Sequence, residues 1–202
     1  MIINPGSVRM LKSICVYCSA SNSIDMKYFE AAVRMGNEIA RRGYSLVYGA
    51  GEVGLMGAVA SAVHKGGGKI VGVVPERLNR SGMVFQDADE LIVTRHMRDR
   101  KAQMEVHSDA FVTLPGGFGT MDEVIEIITL KSLGYHNKPI VFLNTNFFFE
   151  PLIAFFEYLF QERFAKQDVR QLYFFAKTVD EVFQYLENYK SVSANGTVGS
   201  SI

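Results

Sequence analysis

The chain has 202 residues, 48% of them hydrophobic, with 21 Lys plus Arg balanced by 21 Asp plus Glu. That is enough apolar chain for one domain with a large core, and too much for a disordered protein. Balanced charge excludes a global pull toward nucleic acid or an acidic membrane surface, so any anion site has to be local.

No apolar run approaches the ~20 residues that span a bilayer, so no membrane partner is expected. Met1 to Met10 lacks the apolar stretch of a signal peptide, and a cytoplasmic protein is expected. Lys12 to Cys18 reads as the first strand, with Ser19-Ala20-Ser21-Asn22 as the turn at its end. Cys15 and Cys18 are three apart and face opposite sides of that strand, so two buried thiols are expected rather than a redox pair. Tyr28 to Arg42 is an amphipathic helix ended by Gly43, and Tyr44 to Tyr48 is the second strand. Gly49-Ala50-Gly51-Glu52-Val53-Gly54-Leu55-Met56-Gly57 then leads into a helix of small residues up to about His64. Gly66-Gly67-Gly68 breaks it, Lys69 to Val74 is the third strand, and Pro75 stops that strand. Arg77 to Asp89 has no period and reads as a loop, a candidate mobile segment. Leu91 to Thr94 is a short strand, Met97 to His107 a helix, and Ala110 to Leu114 a buried strand.

Val124 to Leu130 continues as an amphipathic helix that ends near Leu133-Gly134. Pro139 to Leu143 is a further strand. Pro151 opens a phenylalanine-rich helix to about Phe164, expected to bury in the core, with an interface as the alternative. Leu172 to Ala176 is the last strand, and Thr178-x-x-Glu181 caps a final helix through Tyr189. Ser191 to Ile202 is small and polar and is expected to be a disordered tail. Strand and helix alternate throughout. The expected fold is therefore α/β, a doubly wound Rossmann-like parallel sheet with helices on both faces, as one domain over residues 1–190. Ligands of such sheets bind beyond the carboxyl ends of the strands, where the turns at Ser19, Gly49, Pro75, Arg95 and Pro115 gather.

Three local patterns bear on chemistry. The first is Leu114-Pro115-Gly116-Gly117-Phe118-Gly119-Thr120-Met121-Asp122-Glu123, between a strand and a helix. Gly116, Gly117 and Gly119 leave the backbone free to approach a ligand, and the following helix offers unpaired N–H groups: an anion site, with phosphate the commonest occupant. Thr120-x-x-Glu123 is also a capping box, which needs only one special backbone position. The second is Met97-Arg98-Asp99-Arg100-Lys101, with positive charge at a helix start, where it opposes the dipole. It reads either as a solvated patch or as cations facing a ligand, with Arg100 and Lys101 on the same sheet edge as the glycine loop. The third is Gly49-x-Gly51-x-x-Gly54, which matches a dinucleotide fingerprint, with Glu76 where a ribose-binding acid would sit. It lies on the second strand and is equally suited to tight helix–sheet packing. The four histidines show no metal-binding spacing.

Met97-x-x-Arg100-Lys101 followed by Pro115-Gly116-Gly117-x-Gly119-Thr120-x-x-Glu123 resembles the Lonely Guy family of cytokinin riboside 5′-monophosphate phosphoribohydrolases. The likeness runs from about Ile14 to Tyr189. It takes in Gly54-Leu55-Met56-Gly57, His107-Ser108-Asp109-Ala110 and Leu133-Gly134-Tyr135-His136-Asn137-Lys138-Pro139. The resemblance implies hydrolysis of the N-glycosidic bond of a purine nucleoside 5′-monophosphate, AMP or a cytokinin riboside monophosphate, without metal or cofactor, in a homodimer. It places catalysis on Arg100 and Glu123. It places substrate binding on Ser19, Met97, Lys101, Gly116, Gly117, Phe118, Gly119, Thr120, Met121, Asp122 and Thr129. Ala50 stands where the family often has glycine, Ser19-Ala20-Ser21 where it has Gly-Ser-Ser, and Leu130 where tryptophan is common; these touch the base pocket. On this reading Glu123, or less well Asp122, stabilises the oxocarbenium-like sugar and orients water, and the dipole of its helix keeps it ionised. The alternatives are a nucleotide-binding module without turnover and an NAD(P)-dependent oxidoreductase. An amino-acid decarboxylase finds no lysine and partner set that marks a pyridoxal phosphate site.

Overall fold

The computed structural model describes residues 11–80 and 82–191. Its strands are β1 (Ser13–Tyr17), β2 (Ser45–Tyr48), β3 (Ile70–Pro75), β4 (Glu90–Thr94), β5 (Ala110–Thr113), β6 (Ile140–Leu143) and β7 (Phe174–Ala176). All pair in parallel, in the order β4-β3-β2-β1-β5-β6-β7. The helices are α1 (Met26–Arg41), α2 (Gly54–Lys65), α3 (Met97–Val106), α4 (Phe118–Ser132), α5 (Glu150–Gln161) and α6 (Val179–Glu187). The expected doubly wound α/β fold is present.

Central strands such as β5 and β6 are buried along their whole length because helices cover both faces. One core joins Ile14, Val16 and Leu46 to residues of α1, α2 and α6, among them Met35, Val59 and Val182. The other joins Cys15, Tyr17, Phe111 and Phe142 to Met104, Val124 and Phe156 of α3, α4 and α5. The small residues of α2 let α1 come close: a side chain at Gly36 would meet the Val59 carbonyl. Alternation along the first strand sends Cys15 and Cys18 to opposite cores, both as buried free thiols. Burial pushes the Cys15 thiol up to about 12 and raises Cys18 as well, so neither is a ready nucleophile.

Several expectations need correction. Pro75 belongs to β3 as its last residue, paired with Thr94, where a missing N–H costs little. The 77–89 segment contains a turn of 3-10 helix (Glu76–Leu78) and is fastened to the second turn of the chain. Phe85 N–H donates to Ala50 O (3.0 Å), and Val84 bridges Gly51. Leu172 ends a 3-10 segment, and the last strand starts at Phe174. The phenylalanine-rich helix buries only one stripe, Phe156 and Phe160, while Phe155 and Tyr158 stay exposed. Thr178 caps α6 as expected, its hydroxyl accepting from Glu181 N–H at 3.2 Å. The expected tail lies, beyond Ser191, outside the described residues. Among the described residues no helix is long and apolar enough to cross a membrane.

From β1 the chain steps outward through β2, β3 and β4, then crosses to β5 on the other side of β1. A crevice therefore opens at the carboxyl ends of β1 and β5.

Candidate active site

Two turns meet at that crevice. Ser19 N–H donates to Pro115 O (3.2 Å), so the turn after β1 is fastened to the glycine loop after β5. The Ser19 hydroxyl accepts from Ser21 N–H and shapes its own turn.

The glycine loop is shorter than expected, because α4 begins at Phe118 with Gly117 as its N-cap and no side-chain cap bond. This corrects both the helix start at Val124 and the capping box. Thr120 sits in the first turn, buried against Gly116, where any side chain would strike it. Gly116 is thus a packing glycine. Gly117 and Gly119 are different: a Cβ built on either meets nothing within 4 Å. The amides of Phe118, Gly119 and Thr120 are the orphan donors of a helix start, and a glycine cap brings them no side-chain acceptor. With the positive end of the dipole behind them they suit a phosphate. Phe118 stands 96% exposed at the mouth.

Glu123 lies one turn further in, and it is half of a buried ion pair. Nη1 of Arg100 donates to its Oε1 at 2.5 Å, with the two side chains 11% and 12% exposed. Arg100 Nε donates to the Val73 carbonyl of β3 (3.0 Å), and Met97 Sδ lies 3.7 Å from Nη1. So α3 and α4 converge over the sheet edge. A cation at the start of α3 opposes that helix's dipole; Glu123 and the Val73 carbonyl offset it. Burial raises the Glu123 carboxyl above the usual carboxylate range, and Arg100 pulls it back only in part. That corrects the expectation that the dipole holds Glu123 ionised. The residue is in the second helical turn, past the reach of the effect, and desolvation decides.

Lys101 donates to both oxygens of Asp122 (3.2 and 3.1 Å) and pairs with Glu126. Burial works against its charge, but bonds to Glu126 and Asp122 outweigh that and raise it. Asp122 is exposed, and Met121 is half-buried against the core. Thr129 lies apart from this group. It is six residues beyond Glu123, roughly 9 Å along the helix, exposed, with its hydroxyl donated to Ile125 O (2.8 Å).

The fingerprint Gly49-x-Gly51-x-x-Gly54 has another use. Gly54 N–H donates to Oδ1 of Asn22 (2.8 Å), and the Leu55 and Met56 amides donate to Ser19 O. The start of α2 is thus already filled by protein acceptors, which leaves no free amides for a pyrophosphate and counts against a dinucleotide. Gly51 clears the Met56 side chain, and Gly49 clears Arg100. Sequence reasoning missed Val73, which acts through its backbone carbonyl and leaves no residue-type signal, and Asn22, whose only hint is a small polar turn after a strand. Among the described residues no three His, Cys, Asp or Glu side chains gather as a metal site.

A family model described as "possible lysine decarboxylase" matches residues 56–186. The chain is 41% identical over 176 residues to a cytokinin riboside 5′-monophosphate phosphoribohydrolase of Arabidopsis thaliana, covering 87% of this chain and 82% of that protein. It is 40% identical over 178 residues to the enzyme of that name from Oryza sativa subsp. japonica, covering 88% of this chain and 74% of that one. Among solved structures, the molybdenum cofactor carrier protein of Chlamydomonas reinhardtii superposes with a TM-score of 0.68 at 23% identity, over 88% of this chain and 97% of that one. The molybdenum cofactor binding protein of Rippkaea orientalis gives 0.68 at 20% identity, over 89% and 97%. At that identity the likeness is one of fold.

Proposed function

The chain belongs to the Lonely Guy family of cytokinin riboside 5′-monophosphate phosphoribohydrolases, and from that premise we propose that it hydrolyses the N-glycosidic bond of a purine nucleoside 5′-monophosphate. Water adds its oxygen to the anomeric carbon, the C–N bond breaks, and free base and ribose 5-phosphate leave. The observation that carries the reading is the buried Arg100–Glu123 pair set beside an open helix start with two unobstructed glycines.

The 5′-phosphate binds at the first-turn amides of Phe118, Gly119 and Thr120, beside Gly117, and its binding energy fixes the sugar for attack. Breaking the C–N bond builds positive charge on the ribose, and Glu123 stabilises that charge and orients the water. Asp122 is the poorer candidate, since it is exposed and already held by Lys101. Arg100 favours the charged form of Glu123 against burial and holds its carboxylate in place. A carboxyl raised by burial also sits nearer the working pH, which suits proton exchange with water.

Thr129 shares an exposed face with Ile125 of α4 and with Leu133, the C-cap of that helix, four residues to either side. We place a second copy of the chain there, as a homodimer that brings Thr129 toward the partner's nucleotide. Light scattering of the purified protein tests the dimer. Incubation with AMP, with adenine and ribose 5-phosphate followed by chromatography, tests the reaction. AMP binding without release of adenine leaves only a binding module.

A further inference from the structure

Gly49 has no backbone reason to be glycine, since its φ lies outside the left-handed region. It is glycine because of what lies over it. A Cβ there would collide with Nη2 of Arg100 and come within 3.2 Å of both Arg100 Cζ and Met56 Sδ. Each nitrogen of the guanidinium thus has its own station: Nε on the Val73 carbonyl, Nη1 on Glu123, and Nη2 in the space that a side chain at Gly49 would fill. Two of these stations belong to the sheet: Val73 within β3, and Gly49 just past the end of β2.

We propose that Gly49 is a positioning residue for catalysis, a socket floor that sets where Arg100 stands and, through it, how the Glu123 carboxylate is aimed and charged. The proposal rests on the hydrolase reading. Substituting Gly49→Ala blocks only the far end of a flexible side chain, so the fold tolerates it while the guanidinium moves. The Arg100–Glu123 pair is then weakened in distance and angle, while the cation stays beside the carboxylate. The other groups that bear on it are Asp122 on its own helix, which disfavours its charge, and Lys101 on α3, which favours it. Cys15, Tyr17 and Cys18 of the first strand face it as buried neutral groups.

The test compares wild type, Gly49→Ala, Arg100→Lys and the double variant. Gly49→Ala is expected to lower kcat on AMP about 100-fold, as a misplacement of about 1 Å does, with KM and Tm little changed. The acid limb of kcat/KM moves to higher pH. In the Arg100→Lys background, where no Nη2 exists to be displaced, Gly49→Ala changes kcat by less than about twofold, within ordinary additivity. An equal loss in both backgrounds overturns the proposal, as does an unmoved acid limb. An NMR titration of the Glu123 carboxyl in the resting protein separates the two readings. A higher titration point in Gly49→Ala supports the socket even if wild type releases no adenine, which sinks only the hydrolase reading. An unchanged point sinks the socket.

Discussion

Arg100→Ala tests the buried pair directly, through stability and turnover at once. The substitution removes the cation from a carboxylate only 12% exposed and strips Nε from the Val73 carbonyl. Removing one partner of such a pair costs about 3 kcal/mol or somewhat more, most of it the burial of an uncompensated charge. For a chain of this size that is roughly a 6–12 °C fall in Tm. The penalty depends on pH with a definite sign. Without Arg100 the folded-state pKa of Glu123, already raised by burial, rises further above its unfolded value. Such a group adds no penalty below the unfolded pKa, and stability is lost as pH rises through the folded one. Denaturant melts of wild type and variant at about pH 5 and about pH 8 should show a gap that widens at the higher pH. Turnover of AMP should fall with it. A gap of the same size at both values, or a variant that still releases adenine at the wild-type rate, refutes the assignment of Arg100 as the group that charges and holds Glu123.

Three further outcomes follow from the same geometry. Glu123→Gln keeps the fold and AMP affinity but loses about 100- to 1,000-fold in kcat, the scale of losing one preorganised charge; near-normal adenine release removes Glu123 from the mechanism. Gly119→Ala adds a side chain into open space on a helix, so stability rises by up to about 1 kcal/mol while KM for AMP increases; unchanged KM would mean that phosphate does not approach this face. Lys131 is 2% exposed, its ammonium donating to the Leu172 carbonyl and facing the Tyr189 ring, and burial lowers it to about 8 from 10.5. The unfolded state therefore binds the extra proton between those values, so wild-type stability gains from this group as pH rises from about 8 toward 10.5. Lys131→Met should flatten that rise in thermal melts, and identical pH profiles for the two proteins would refute it.

The alternation of apolar runs and amphipathic stretches is enough for the sheet and its helices, because periodicity and turn residues are local properties of the chain. Family resemblance puts Arg100 and Glu123 in one site without saying whether the arginine holds the glutamate or the substrate, and the cation at the start of α3 is visible as a cost without its compensation; the fold supplies the pairing. What lay beyond the sequence were effects of surroundings. Whether α4 starts at Phe118 or Val124 depends on Thr120 packing into the gap at Gly116. Whether Glu123 titrates high or low depends on desolvation, which no neighbour in sequence supplies. Gly49-x-Gly51-x-x-Gly54 reads the same whether it cradles a pyrophosphate or makes room for Arg100 and Met56. Only the fold, by laying Asn22 and Ser19 across the amides of α2 and the guanidinium across Gly49, decides between them.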